Sequence, residues 1–357
     1  MLYLPHTTYY HQQTHIKLTI VNKEVAMKLI DLEHHYWDLE TIYALEGRKG
    51  YPTYDRDVKK LSWRKGITYP LDIDNDKVVN RGEGRLSDVD RVGISTSVLS
   101  TTLTLEEIDP SEGAALAKHH NDAIYELTQK YPGRYLGSAM LPVKDADAAC
   151  KELERCVKEL GFVGWQTQSN YFDATLNEER FIPIFETAAE LGVYIYLHPV
   201  LPPNLGLEEY GFTFMGPAAG FTVDTMLTCL KMIVCGVFDK VPKTKLVLGH
   251  LGEAIPFLLD RIDNRLNYLP NPNIKNQRKP SEYFRDNIYV TTSGNMSPAA
   301  FRCTKDVLGI EKIMFGSDYP MEDLDAMIAY VRGLEMTDEE REMVFFKNAE
   351  KLMGKTL

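Results

Sequence analysis

Ligand-type side chains follow short apolar runs at four places in the chain: Leu32-Glu33-His34-His35, Tyr196-Leu197-His198-Pro199, Leu248-Gly249-His250, and Phe315-Gly316-Ser317-Asp318-Tyr319-Pro320. Imidazoles and carboxylates collected in this way can hold a divalent metal, or pass protons to and from a substrate. Glu33 and His35 stand two apart and share a face of an extended strand, while His34 points to the other. The stretch from Lys245 to Arg261 is the most organised. A run from Lys245 to Leu248 delivers Gly249 and His250 to its carboxyl end, and a helical pattern then begins with Glu253 one turn on and Arg261 further along. Taken alone, His250 reads as a loop histidine, Glu253 as a first-turn carboxylate favoured by the helix dipole, and Arg261 as a surface charge. Recurrence at four strand ends favours a site.

The elements that must position these residues alternate. Strands are expected at Lys28–His34, Gly93–Leu99, Tyr135–Met140, Phe162–Gln166, Val193–His198, Lys245–Gly249, Ile288–Thr292 and Lys312–Gly316, each short and rich in Val, Ile, Leu or Tyr. Helical patterns lie between them, among them Pro110–Lys130, Asp145–Leu160, Asn177–Leu191 and Thr222–Phe238. Eight strands with intervening helices predict an α/β fold, a (β/α)₈ TIM barrel. A doubly wound open sheet is the alternative, but no GxGxxG or GxxxxGK[ST] follows any strand. Two long insertions follow strands 1 and 5. The first, from Tyr36 to Gly93, carries Trp63, Arg64, Arg81, Glu83 and Arg85, and the second, from Leu201 to about Ala219, is rich in Pro, Gly and aromatics. Both leave strands at carboxyl ends, so in a barrel both overhang the active face. Residues 1–27 read as an N-terminal arm or tail, with 28–357 a single barrel domain; His6, His11 and His15 in the tail are weak metal candidates.

Composition excludes more than it assigns. A chain of 357 residues with 44% hydrophobic content buries a large core. Its net charge of -11, with no basic stripe, argues against nucleic acid. Five cysteines without a CxxC pair suit reduced thiols in a cytoplasmic protein. No apolar run approaches membrane-spanning length, and the first residues lack the basic start and apolar centre of a signal peptide.

The motifs in combination resemble the amidohydrolase superfamily, and within it the metal-dependent branch of aromatic-acid and aminocarboxymuconate-semialdehyde decarboxylases. The resemblance rests on Glu33-x-His35, His198-Pro199, Gly249-His-Leu-Gly-Glu253 with Pro256 and Arg261, Thr291-Thr-Ser-Gly294, and Gly316-Ser-Asp-Tyr-Pro320, and runs from about Met27 to the C-terminus. It implies one divalent metal held by Glu33, His35, His198 and Asp318. Many hydrolytic members open with His-x-His and bridge two metals by a carbamylated lysine after strand four. Here Glu33 takes the first place and strand four reads Gly161-Phe-Val-Gly-Trp-Gln-Thr167, which points to a mononuclear site. A carboxylate in place of an imidazole hardens the site and suits Mn²⁺ or Zn²⁺.

The implied reaction is non-oxidative decarboxylation of a hydroxybenzoate-like acid, in which a proton must reach the carbon that bears the carboxylate. Asp318 is the expected donor, on the expectation that a carboxyl among other acids and apolar walls keeps a proton near neutral pH. Glu253 is expected to fix the tautomer of His250, which faces the substrate as orienter or relay. The resemblance implies that Arg261 reaches the substrate carboxylate of the adjacent protomer, hence a homodimer or homotetramer; an intersubunit salt bridge is the alternative. Tyr36, Trp37, Trp63, Arg64, Phe212, Phe214 and Phe221 are candidate walls for a flat substrate, with Tyr36 the foremost, and Asp38 and Glu40 are taken as solvated. Two other functions compete: a mononuclear hydrolase cleaving a lactone, C–C or amide bond with Asp318 as base, and a silent barrel that only binds or assembles.

Overall fold

A computed structural model of the chain describes residues 27–357, apart from Gly82, Thr104, Glu106, Glu107, Asp109, Phe172 and Asn204. Residues 1–26, which include His6, His11 and His15 and nearly all of the expected arm, lie outside the described residues.

Period-two alternation sorts the strands into an inside and an outside. In chain order they are β1 (Ile30–His35), β2 (Thr53–Asp55), β3 (Lys60–Arg64), β4 (Ile67–Pro70), β5 (Thr96–Ser100), β6 (Tyr135–Ala139), β7 (Gly164–Gln168), β8 (Tyr194–His198), β9 (Leu246–Leu248), β10 (Ile288–Thr291) and β11 (Ile313–Met314). Eight of them form one sheet in the order β1-β5-β6-β7-β8-β9-β10-β11, all neighbours parallel. Backbone hydrogen bonds bring its two ends together: Leu32 donates to Phe315 O at 3.1 Å, His35 to Tyr319 O at 2.7 Å and Asp318 to Glu33 O at 3.0 Å. The result is the expected (β/α)₈ barrel. Leu32, Val98, Leu136, Tyr196, Val247 and Met314 pack into one apolar cluster inside it, while residues such as Leu153, Phe185, Ile233, Leu259 and Phe284 belong to the larger cluster beneath the helices. Each fully buried side chain of this kind contributes roughly 1.5–3 kcal/mol. Gly164 has to lack a side chain, because a Cβ there would lie 2.6 Å from the ring of Tyr194, which fills the barrel.

Helices cover the outside, with side-chain caps at Asp145 on Ala146–Lys158, Ser297 on Pro298–Leu308 and Asp323 on Leu324–Gly333, each worth about 1 kcal/mol. The pattern read over Asn177–Leu191 begins as a 3₁₀ turn and becomes α-helical only at Ile182, where Pro183 fits the first turn. The pattern over Thr222–Phe238 is Gly220–Val234, stopped by Gly236 at φ 76°. Among the described residues no single helix is long and apolar enough to cross a membrane.

The insertion after β1 holds a separate antiparallel sheet in the order β2-β3-β4, packed on its own cluster of Trp37, Ile42, Leu45, Tyr54 and Leu61. It leans on the segment after β8. The Arg64 guanidinium donates to Leu201 O (2.7 Å) and Pro202 O (3.0 Å), and Trp63 stacks on Phe212 at 5.6 Å and 11°. The two insertions are therefore one roof over the carboxyl ends of the strands.

Candidate active site

Glu33 and His35 end β1 on the inner face, and His198 ends β8 beside them. His35 Nε2 lies 3.8 Å from Glu33 Oε1 and 2.9 Å from Asp318 Oδ1, and the His35 and His198 rings meet edge-on at 4.9 Å. Ligand atoms of Glu33, His35 and His198 lie within 4.8 Å of one another, as do those of Glu33, His250 and Asp318. The arrangement fits a divalent cation. Tyr196 Oη and Thr291 Oγ1 both donate to Glu33 Oε2, whereas Glu33 Oε1 and His198 Nδ1 are buried without a hydrogen-bond partner among the described residues. Ser100 Oγ stands 3.3 Å from His35 Nδ1, which fixes the ring and leaves Nε2 facing the cluster. Burial, then the Asp318 charge, push the Glu33 carboxyl above its usual range. Two carboxylates and two imidazoles held this close and this dry call for a positive charge among them.

His250 and Glu253 occupy the turn between β9 and the helix Ile255–Arg265. His250, Leu251, Glu253 and Asp318 all have φ between 52° and 59°, a region that costs non-glycine residues about 1–3 kcal/mol each and persists only where the surroundings enforce it. Here Ser293 Oγ accepts from His250 N at 3.2 Å, Thr291 O from Leu251 N at 2.8 Å, and Glu33 O from Asp318 N at 3.0 Å. Gly294, at φ 58°, is a glycine for the same reason: a Cβ would lie 2.3 Å from His250 Cδ2. Glu253 Oε1 is 2.7 Å from His250 Nδ1, so Nε2 faces the cavity, 3.8 Å from Asp318 Oδ2.

Electrostatics distinguish Asp318 from His250. Burial would raise the Asp318 carboxyl, but hydrogen bonds and charge from His250 and His35 outweigh it and hold Asp318 below the usual carboxylate range. Burial would likewise depress His250, and it is outweighed by the Glu253 charge, then by Asp318. Both directions favour a proton on His250 over one on Asp318, because an imidazole between two carboxylates gains more from protonation than a carboxyl between two imidazoles.

A cavity of about 490 Å³ opens beside the cluster, lined at one end by His198, His250, Glu253 and Asp318 and at the other by Trp37, Trp63, Tyr69, Phe212 and Phe221. Tyr36 is elsewhere. It is fully buried, stacked on His120 at 6.1 Å, with its hydroxyl 3.3 Å from Asp38 Oδ1; the chain leaves β1 at His35, so Tyr36 turns outward and Trp37 takes the inner side. Asp38, expected in solvent, is buried too and caps Thr41 N at 3.0 Å. Arg64 holds backbone carbonyls, and Phe214 is 46% exposed; neither lines the cavity. Arg261 is exposed on Ile255–Arg265 and also stands outside it.

Sequence reasoning missed the groups that hold the ligands. Asp31, fully buried, accepts from Ser317 N (2.9 Å), Ser317 Oγ and Glu33 N (3.2 Å) and pairs with His34 Nδ1 (2.8 Å). A lone carboxylate in an apolar strand was its signal. Arg85 is buried against four carbonyls, those of His35, Lys77, Val78 and Asn80, and nothing in its charged stretch set it apart. Gln168, in register with His198, has a buried amide without a partner among the described residues.

A profile of the Amidohydrolase family matches residues 30–355. A gamma-resorcylate decarboxylase from Polaromonas sp. strain JS666 is 32% identical, the match covering 90% of this chain and 97% of that one. Among solved structures, 5-carboxyvanillate decarboxylase from Sphingomonas paucimobilis superposes with a TM-score of 0.82 at 28% identity, covering 92% of this chain and 100% of that one. A dihydroxybenzoic acid decarboxylase from Polaromonas sp. JS666, solved with bound manganese and the inhibitor 2-nitroresorcinol, gives 0.77 at 29% identity over 92% and 97%. The barrel, the strand-end ligands and these similarities together show that the chain belongs to the amidohydrolase family, beside its aromatic-acid decarboxylases.

Proposed function

We propose that this chain is a metal-dependent, non-oxidative decarboxylase that converts a hydroxybenzoate-like acid to the corresponding phenol and CO₂. The observation that carries the reading is the place of Asp318, which touches the ligand cluster on one side and lines an aromatic-walled cavity on the other. The relatives described above are decarboxylases, which favours this reading over hydrolysis on the same scaffold.

In this reading Glu33, His35, His198 and Asp318 hold one divalent ion. When bound, it supplies the positive charge that the substrate's carboxylate and ortho hydroxyl need as the ring loses aromaticity. Asp318 places the proton on the carbon bearing the carboxylate, and His250 supplies it from Nε2. With Glu253 on Nδ1, His250 gives up that proton without losing its orientation. The C–C bond then breaks, its electrons restoring the ring as CO₂ leaves. Manganese is the ion in a solved relative, and Zn²⁺ suits the same donors. Arg261 is assigned to the substrate carboxylate of a neighbouring protomer, so the active unit is a homodimer or homotetramer. Five unpaired cysteines suit a cytoplasmic setting.

The test is CO₂ release from a panel of ortho-hydroxybenzoates by protein stripped of metal and reloaded with Mn²⁺ or Zn²⁺. Release that depends on the ion is expected. Clean metal binding with no release from any member would move the assignment to a hydrolase.

A further inference from the structure

The cavity is too large for a single ring. A hydroxybenzoate has a molecular volume of about 125 Å³ and, at an interior packing density of about 0.74, fills about 170 Å³. Roughly a third of the 490 Å³ is then used. The metal end takes that third, since the reacting carboxylate has to lie at Asp318 and His198. What remains is the box of Trp37, Trp63, Tyr69, Phe212 and Phe221 beneath the two insertions. The box is built as one piece: Trp63 stacks on Phe212 at 5.6 Å, Trp37 meets Trp63 edge-on at 6.3 Å and Tyr69 at 6.0 Å, and Phe212 meets Phe221 at 6.3 Å. Trp37 Nε1 is turned inward on the protein and donates to Thr102 Oγ1 at 2.9 Å, whereas Trp63 Nε1 is buried with no hydrogen-bond partner among the described residues.

Charge narrows the occupant. Among the described residues no lysine or arginine lines the cavity, whereas Glu253, Asp318 and Glu322 do. The one cation that the proposed function brings to the cavity, Arg261 of the partner subunit, is taken by the reacting carboxylate, so a second anionic group would meet only carboxylates and aromatic faces.

We infer that the substrate carries an uncharged apolar extension on the ring edge remote from its carboxylate, the size of a second ring or of a chain of about five carbons, and that Trp63 and Phe212 select for it. This rests on the proposed decarboxylase reading for the placement of the carboxylate. Each methylene buried in such a box strengthens binding by up to about fourfold, so a pentyl chain seated even partly gains at least about 30-fold.

Equilibrium binding to the manganese-loaded protein tests this independently of turnover. The probes are the product-like phenols resorcinol, 5-pentylresorcinol and 5-phenylresorcinol, with 3,5-dihydroxybenzoate supplying an anionic extension, each titrated by calorimetry. The expected result is at least about 30-fold tighter binding of the pentyl or phenyl compound than of resorcinol, no gain from the carboxylate, and a ratio that falls toward one in Trp63→Ala and Phe212→Ala. Equal affinities, a preference for the carboxylate, or a ratio unchanged in both variants would each overturn the inference. Turnover of small ortho-hydroxybenzoates, measured separately, decides the decarboxylase reading: an enzyme that releases CO₂ yet ignores the extension keeps the function and loses the inference.

Discussion

Replacing Gly294 with alanine tests whether the position of His250 matters to the chemistry. The new Cβ would lie 2.3 Å from His250 Cδ2 and 2.8 Å from Nε2, against an ordinary contact that begins at 3.4 Å, so the imidazole has to retreat by about 1.1 Å. It cannot swing aside freely, since Nδ1 is held 2.7 Å from Glu253 Oε1. Alanine at φ 58° adds about 1–2 kcal/mol of backbone cost, which for a chain of this size lowers the melting temperature by only about 1–3 °C. A displacement of about 1 Å near the reacting atoms costs on the order of 100-fold in rate. The variant should therefore be folded and metal-loaded, with kcat/KM for its best hydroxybenzoate down about 100-fold. Three measurements decide it: steady-state CO₂ release, calorimetric melting, and manganese content by atomic emission. Full kcat/KM in the folded, loaded variant would refute a role for His250 in proton transfer, and loss of the metal would show that Gly294 supports the ligand cluster instead.

Four further outcomes are expected. Asp318→Asn removes the carboxyl assigned to proton delivery and should cost about 10²–10⁴-fold in kcat while manganese stays bound; wild-type turnover would sink the mechanism. Arg261→Ala, at an exposed position, should raise KM about tenfold without moving the melting temperature, and unchanged kinetics would make Arg261 structural. Arg85→Met removes the buried guanidinium that bridges the carbonyls of His35, Lys77, Val78 and Asn80 and should cost about 3–5 kcal/mol in denaturant unfolding, with weaker manganese affinity because His35 is no longer braced. His120 is fully buried, and burial lowers its pKa from 6.5 to about 4. The unfolded chain thus binds the proton first as pH falls, and stability present above pH 6.5 is lost toward pH 4, at up to about 1.4 kcal/mol per pH unit. Unfolding free energies across that window should flatten by about one proton in His120→Phe; an unchanged slope would contradict the assignment.

The barrel was legible because strand and helix periods alternate along most of the chain, and because β-branched runs end where the fold needs loops. The ligand cluster was legible at Glu33, His35, His198, His250 and Asp318, since residue type and parity together say which side chains meet at one mouth. Tyr36 was misplaced because it lies one residue past the end of β1, where parity stops applying. The small sheet β2-β3-β4 escaped notice: its strands span only three to five residues, too short for a period to stand out among their charged neighbours. The charge on Asp318 depends on two imidazoles that come from distant strands, and no local pattern encodes that. Arg85 is the extreme case: its hydrogen bonds go to backbone carbonyls, which leave no trace in side-chain identity, and the two rings it faces, Tyr36 and Tyr319, lie far apart in the sequence.

The ligand cluster sits astride the line where the barrel closes. Glu33 and His35 belong to β1, and Asp318, 283 positions from its contact His35, follows β11; Asp31 and Ser317 stitch the same line. No contiguous fragment short of nearly the whole barrel contains the full set of ligands. Ion capture by the proposed ligands would therefore signal completed assembly, and an ion that binds only the finished form adds stability as RT ln(1 + [ion]/Kd), about 2.7 kcal/mol at a hundredfold excess over Kd. A bound ion would thus clamp the joint between the two ends of the sheet, so starvation for metal should loosen this line before any other part of the barrel.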